Sequence, residues 1–314
     1  MADVSVLRPA RLPRQPALLD GLRAYSSRHR LALLLVLPVA TVLVLLVVPV
    51  LVLFRYSLYT SVTGGAVATL SLGNWVKFFS DGYYHASVGI TLGTAVLVTA
   101  LSLLLGFPVA YAYARTNAGP KWLLLMAVLS PFYIEVLVKI YAWLVLLGKS
   151  GLINRGLLAT GLLSKPFDFN QNLAGIVIVL VYNSLPFMVL SLIGPLQGIE
   201  DTVVEAARVC GAPADRVFWR VVLPLSIPGV VAGSILTFSV GIASFLVPLL
   251  VGGPIGQKFL GVIIYQAMNV NQNWSLGAVE AMVLLAASLA VILGYNRVVR
   301  ASKVGVMIND VMGG

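Results

Sequence analysis

Six apolar runs, each near the roughly 20 residues that a helix needs to cross the hydrocarbon of a bilayer, constrain this chain more than any other feature. They fall at about 31–54, 88–114, 121–147, 172–195, 225–252 and 276–294. A helix satisfies its own backbone hydrogen bonds where no water is present, so each run is predicted to be a transmembrane helix in an all-α integral membrane protein. Composition excludes the soluble alternative. Only 10% of residues are charged, against roughly 25% in soluble chains, and 59% are hydrophobic, leaving too few charges to build a wetted surface. The run from Leu31 to Phe54 exceeds the apolar core of a secretory leader and lacks a small-residue cleavage site, so it is read as a retained span.

The chain holds 21 basic and 11 acidic residues, a net charge of +10. In a soluble protein that excess would suggest nucleic acid, but here the basic residues sit between the apolar runs and report topology. Fourteen lie on one side: six arginines before the first span, then Arg115 and Lys121, then Arg208, Arg216 and Arg220, then Arg297, Arg300 and Lys303. The opposite connections hold six, and Lys139 lies within a span. The positive-inside rule therefore puts both termini in the cytoplasm, with residues 1–30 a basic, proline-containing arm that is flexible or surface-lying and 295–314 a tail. Cys210 stands alone, and His29 and His85 are far apart, which excludes an intramolecular disulfide and predicts no metal site. In the outer connections, Gly64-Gly65, Gly151 and Gly252-Gly253-Pro254 predict turns and interfacial pieces, and Trp75 and Trp274 sit where interface aromatics are expected.

The connection at 196–224, between the fourth and fifth spans, reads as two short helices, Asp201 to Cys210 and Pro213 to about Val222. Thr202 and Glu205 have the spacing of a capping box, Gly211 can supply a left-handed turn, and Pro213 suits the first turn of the second helix. Val217, Phe218 and Trp219 are too apolar to be left in water, so a partner should cover them.

The series Glu205-Ala206-Ala207, three residues, Gly211, nine residues, Val221-x-Leu223-Pro224 resembles the E-A-A-x3-G-x9-I-x-L-P signature of ATP-binding-cassette (ABC) importer permeases, with Val in place of Ile. The likeness covers roughly residues 30–295 and looks closest to the spermidine/putrescine permeases. It also rests on Tyr141-Ala142-Trp143, Gly151-Leu152-Ile153-Asn154, Tyr182 to Met188, and Trp274 with Gly277-Ala278. The resemblance implies a type I importer permease fold in a bacterial inner membrane, with residues 88–294 as its core and 196–224 as a coupling loop. Glu205, Ala206, Ala207, Gly211, Phe218, Trp219, Val221, Leu223 and Pro224 would serve the coupling, with Phe218 and Trp219 as apolar anchors. It further implies a partner ATPase dimer that holds ATP and Mg, a second permease, an extracytoplasmic solute-binding protein and surrounding lipid. This chain itself has no phosphate-binding loop, so no cofactor and no catalysis are expected in it. Importers of iron, sulfate, thiamine and opines share parts of the pattern and are alternatives for the solute.

Hydrocarbon should exclude Glu135 and Lys139 in the third span and Glu280 in the sixth, so each needs a partner or a water-filled path. Glu135 and Lys139 are spaced to neutralise one another on one helical face. Alternatively Glu135 and Glu280 line a solute path and attract a cation, with Tyr133, Tyr141, Trp143 and Tyr182 offering aromatic faces. Lys139 in such a path would suit an anion equally well. Ser234, Thr237, Gly241 and Ser244 form a small-residue face for close helix packing, and Pro108, Pro131, Pro186, Pro228 and Pro248 are candidate kinks.

Three rivals follow from the residues. A helix-turn-helix DNA reader has the outline of the 196–224 loop, but a reading helix tied to the bilayer at both ends could not enter a groove, so no nucleic-acid partner is expected. An intramembrane enzyme would draw on Glu135 and Glu280. An ion-gradient transporter would need no ATPase and would survive loss of Glu205 and Gly211.

Overall fold

The computed structural model describes residues 17–62, 65–116 and 121–301, with side chains from 36–60, 69–116 and 121–299. The calls on the arm before Ala17 and on the tail beyond Ala301 lie outside the described residues. The chain divides into two units at Val52/Leu53. The first is occupied by helix α1 (Ala17–Ser57), which starts well before Leu31, so that part of the expected arm is helical. Pro38 and Pro49 lie inside it.

In the second unit, strands β1 (Tyr59–Val62) and β2 (Gly65–Leu70) pair antiparallel, with Thr60 opposite Val67. This small hairpin was not expected in an all-α chain, although β-branched residues flanking Gly64-Gly65 carry its signal. Helix α2 (Gly73–Ser80) leads to α3 (Gly82–Arg115), whose amino end is capped by Asp81. The third predicted span is not continuous. It is α4 (Lys121–Tyr133), a break at Ile134-Glu135, and α5 (Val136–Leu147). A short α6 (Leu152–Ala159) follows, then α7 (Leu173–Gln197).

The loop at 196–224 holds α8 (Asp201–Val209), α9 (Ala214–Val217), a π-helical turn over Phe218–Val222, and α10 (Leu223–Leu225). Helix α11 (Ile227–Ala243) leaves this segment at 65°. The fifth predicted span is also broken, at Ser244-Phe245, before α12 (Leu246–Val251). Helices α13 (Gly253–Gly256) and α14 (Leu260–Tyr265) and a π turn at Gln266–Val270 precede the last span, α15 (Trp274–Ala301). Among the described residues five helical stretches are long and apolar enough to cross a membrane, with Val136–Ala159 (α5 and α6) counted as one, or six when the bent pair on either side of Ser226 counts as one.

The prolines sort by context. Pro108 and Pro186 sit inside uninterrupted α3 and α7, whereas Pro131 precedes the α4–α5 break, Pro228 follows the 65° bend and Pro248 lies in the first turn after the second break. Proline removes a donor, so its acceptor needs another. Ser130 Oγ donates to the carbonyl of Ala127, the one Pro131 leaves open, at 2.8 Å.

Helices α3, α7 and α11 form the centre. A Cβ on Gly233 would stand 2.7 Å from Met188 Sδ, and one on Gly229 2.7 Å from the Ser191 carbonyl, so these glycines let α11 lie directly on α7. Of the small-residue face, Ser234, Thr237 and Gly241 are buried in this packing, whereas Ser244 falls at the break. Ile140, Leu147, Ile176, Leu180 and Val251 anchor one core cluster. Phe107, Met188, Leu192, Leu196 and Val222 anchor a second, next to the loop at 196–224. In the second outer connection, Asn154 is fully buried and bridges Gly148 and Phe167 with three hydrogen bonds of 2.9 Å.

Candidate functional site

The loop at 196–224 is held by backbone hydrogen bonds at its turn and by an ion pair to α3. Gly211 has φ +79°, and its N–H donates to Arg208 O at 2.8 Å while Ala212 N–H reaches Ala207 O at 3.1 Å, a paired closure that ends α8. The expected capping box is absent. The N-cap is Glu200, Thr202 lies two residues beyond it inside the helix, and its hydroxyl donates to Glu200 Oε2 at 3.0 Å. Pro213 is the N-cap of α9 rather than its first helical residue. The start of α8 is fastened to the end of α3 by an Arg115–Asp201 ion pair.

The motif residues divide into two faces. Ala207, Phe218, Val221 and Leu223 pack against the second core cluster. Phe218 stands edge-on to Phe107 and Tyr111, which corrects its expected role as an outward anchor: it holds the loop to α3. Outward lie Glu205, Ala206, Val209 (88% exposed) and Trp219 (64% exposed). Pro224 is half-buried in α10.

The membrane residues gather at the two breaks. Glu135 and Lys139 are joined by the first backbone hydrogen bond of α5, from Lys139 N–H to Glu135 O at 3.1 Å, but their side chains turn to other partners and form no ion pair. Glu135 is the N-cap of α5, and its Oε2 accepts from Leu137 N–H at 2.6 Å and Val138 N–H at 3.2 Å. Lys139 is buried and reaches back across the break to donate from Nζ to the carbonyl of Pro131 at 2.8 Å. Each charge thus covers the helix end of opposite sign.

Beside the breaks lies a cavity of about 440 Å³, lined among others by Phe132, Lys139, Asn183, Phe187, Ser244 and Phe245. Phe132 and Phe187 meet edge-on at 5.0 Å, and Asn183 Oδ1 is buried without a partner. Among the lining residues Lys139 is the one ionisable group. Trp143 and Tyr182 pack edge-on at 5.3 Å beside the first core cluster, and Tyr133 and Tyr141 are exposed. Glu280 does not join the cavity lining. It is fully buried on α15, near Tyr83 and Tyr84 of α3. Sequence reasoning passed over Asn183, Phe187 and Phe245, although a lone amide in the apolar run of α7 is itself a signal.

Broken spans beside a cavity and a hydrogen-bonded, partly apolar loop are the features that a membrane-transport subunit requires. Residues 61–303 match the family described as "Binding-protein-dependent transport system inner membrane component", and the chain belongs to it. It is an ABC importer permease with several membrane spans. It is 31% identical over 228 residues to the spermidine/putrescine transport system permease protein PotB of Haemophilus influenzae, covering 73% of this chain and 79% of that one. It is 36% identical over 226 residues to the inner membrane ABC transporter permease protein YdcU of Escherichia coli, covering 68% and 71%. A crystal structure of a bacterial ABC transporter involved in import of the acidic polysaccharide alginate contains a chain of the same fold. The TM-score is 0.70 at 18% identity, covering 90% of this chain and 99% of that one.

Proposed function

We propose that this subunit imports a polyamine, spermidine or putrescine, by alternating access driven by a separate ATPase. The observation that carries the solute is the likeness to PotB, at 31% identity over 73% of the chain. The outward face of the loop, with Glu205, Val209 and Trp219, docks on the ATPase, which holds ATP and Mg; closure of the ATPase dimer moves the loop and, through Phe218 and the Arg115–Asp201 pair, α3. A second, distinct permease completes the path, an extracytoplasmic binding protein delivers solute, and both termini lie in the cytoplasm.

Lys139 in the cavity favours a second reading, an anionic solute. Uptake of radiolabelled spermidine and putrescine in cells lacking this chain, with and without its return, separates the two. The expected outcome is loss and recovery of polyamine uptake, with an ATPase and a second permease co-purifying with the tagged chain. Co-purification without polyamine uptake would retain the importer and reject the solute. A chain recovered without an ATPase would favour gradient-driven transport.

A further inference from the structure

The carboxyl ends of α4 and α11 and the amino ends of α5 and α12 all meet the cavity, since Val136, Leu246 and Val247 also line it. Phe132 lies in the last turn of α4, and Val240 and Ala243 lie in the last turn of α11, and all three line the cavity. The final carbonyls of a helix have no partner within it, and its C-terminal end carries a partial negative charge. The opposite pole is muted on the far side of the first break, where Glu135 covers the amino end of α5. The carboxyl ends of α4 and α11 thus offer acceptors for a cation, set against the amino end of α12, which carries no side-chain cap, and the ammonium of Lys139.

The position of Lys139 resolves this conflict. Its ammonium is not left free for an anion but is bound to the Pro131 carbonyl at the end of α4, at 2.8 Å. A lysine side chain is a four-carbon arm ending in a primary ammonium, the same group as one end of putrescine or the aminobutyl end of spermidine.

We infer that the Pro131 carbonyl marks a primary-ammonium site in the cavity, occupied here by the chain's own Lys139, which a solute ammonium displaces. The inference rests on the polyamine reading above. The solute's carbon arm lies along the apolar wall made by Phe132 and Phe187, whose rings touch edge-on at 5.0 Å and both line the cavity. Its second ammonium has two acceptors: Asn183 Oδ1, buried without a partner, and the open carbonyls at the end of α11. Lys139 is then a tethered competitor that keeps the site filled when no solute is present, and its displaced charge raises the potential of the loaded cavity and favours release.

The test is equilibrium binding of radiolabelled putrescine to the complete purified complex in detergent, without the extracytoplasmic binding protein. Lys139→Met keeps the length of the arm and removes the competing ammonium. It is expected to bind putrescine on the order of tenfold more tightly than wild type, the scale of one hydrogen bond to a charged group. Adding Asn183→Ala should reverse most of the gain. Co-purification of the ATPase verifies assembly; if Lys139→Met does not assemble, Lys139→Gln keeps a donor for Pro131 without the charge and should show a smaller gain. Equal or weaker binding by the assembled variant, with wild-type putrescine uptake intact, overturns the inference and leaves the polyamine reading standing. If the wild-type importer carries sulfate but not putrescine and Lys139→Met abolishes that transport, the polyamine reading falls and the inference with it.

Discussion

The ring of Phe218 stands edge-on to that of Phe107, centroids 5.4 Å apart and planes 82° apart, while the next residue, Trp219, is 64% exposed. Trp219 packs edge-on against Phe218 at 5.3 Å, so of two touching aromatics one is fixed to a membrane helix and the other leaves most of its surface exposed. Phe107→Leu and Phe218→Leu, combined in a double-mutant cycle of thermal stability, should show a coupling of about 1 kcal/mol. Trp219→Ala should leave the melting temperature of the isolated chain unchanged and weaken co-purification of the ATPase. Equal loss of stability in Phe218→Leu and Trp219→Ala would contradict this division.

At Gly211 the backbone is left-handed, with φ +79°, and a Cβ there would meet nothing within 4 Å. The cost of a side chain is therefore conformational, about 1–2 kcal/mol for Gly211→Ala. Gly211→Val should be worse, because a β-branched residue fits this region least. Both variants should still insert, with solute-stimulated ATP hydrolysis falling more for valine than for alanine. Glu205→Lys, on the exposed face, should lower coupling without lowering stability. Full transport in Gly211→Val and Glu205→Lys together would refute a coupling role for the loop.

Glu135 acts on the amino end of α5 rather than on Lys139. Glu135→Ala should destabilise the chain by about 1 kcal/mol, the usual value of a lost N-cap, and Glu135→Gln by less, since the amide oxygen still accepts from Leu137 and Val138. Denaturation of the purified chain in detergent reads both. Were the two a direct ion pair, Lys139→Met and Glu135→Gln would show strong mutual coupling; with their side chains on separate partners only a weak coupling is expected.

Both carboxylate oxygens of Glu280 are buried with no hydrogen-bond partner among the described residues. A charge withdrawn from water without a partner costs several kcal/mol, so Glu280→Gln should melt at the same temperature as wild type or higher. Solute uptake should persist, as Glu280 is not in the cavity lining. A lower melting temperature would reveal a charged partner supplied by the assembled complex.

Thr237 on α11 is fully buried and its hydroxyl has no partner, unlike those of Thr91, Thr99 and Ser191, which donate to the carbonyl one turn earlier. Thr237→Val keeps the shape and removes the unpaired group, so it should be neutral or stabilising by up to about 1 kcal/mol. A loss of more than that would reveal a hydrogen bond made in another conformation of the transport cycle.

The amino-acid sequence by itself determined the membrane class, the approximate number of spans and the two-helix outline of the 196–224 loop. Each depends on local properties: the length of an apolar run, the scarcity of charge, a glycine at a turn, residues at fixed spacing. It also carried the family, because the Glu205 to Pro224 series needs no third dimension to be read. What the tertiary structure alone decided was where spans break and what each side chain faces. A run such as 121–147 is equally apolar whether it is one helix or two, and only the helix ends at Tyr133 and Val136 turn Glu135 and Lys139 from an ion pair into separate caps. Phe218 and Trp219 are likewise indistinguishable by hydrophobicity. Their different exposures come from the π turn and from the presence of Phe107 on a helix more than a hundred residues away in sequence. Asn183 gained meaning only when α7 met the two breaks, because a cavity is made by elements brought together and is not encoded in any one of them.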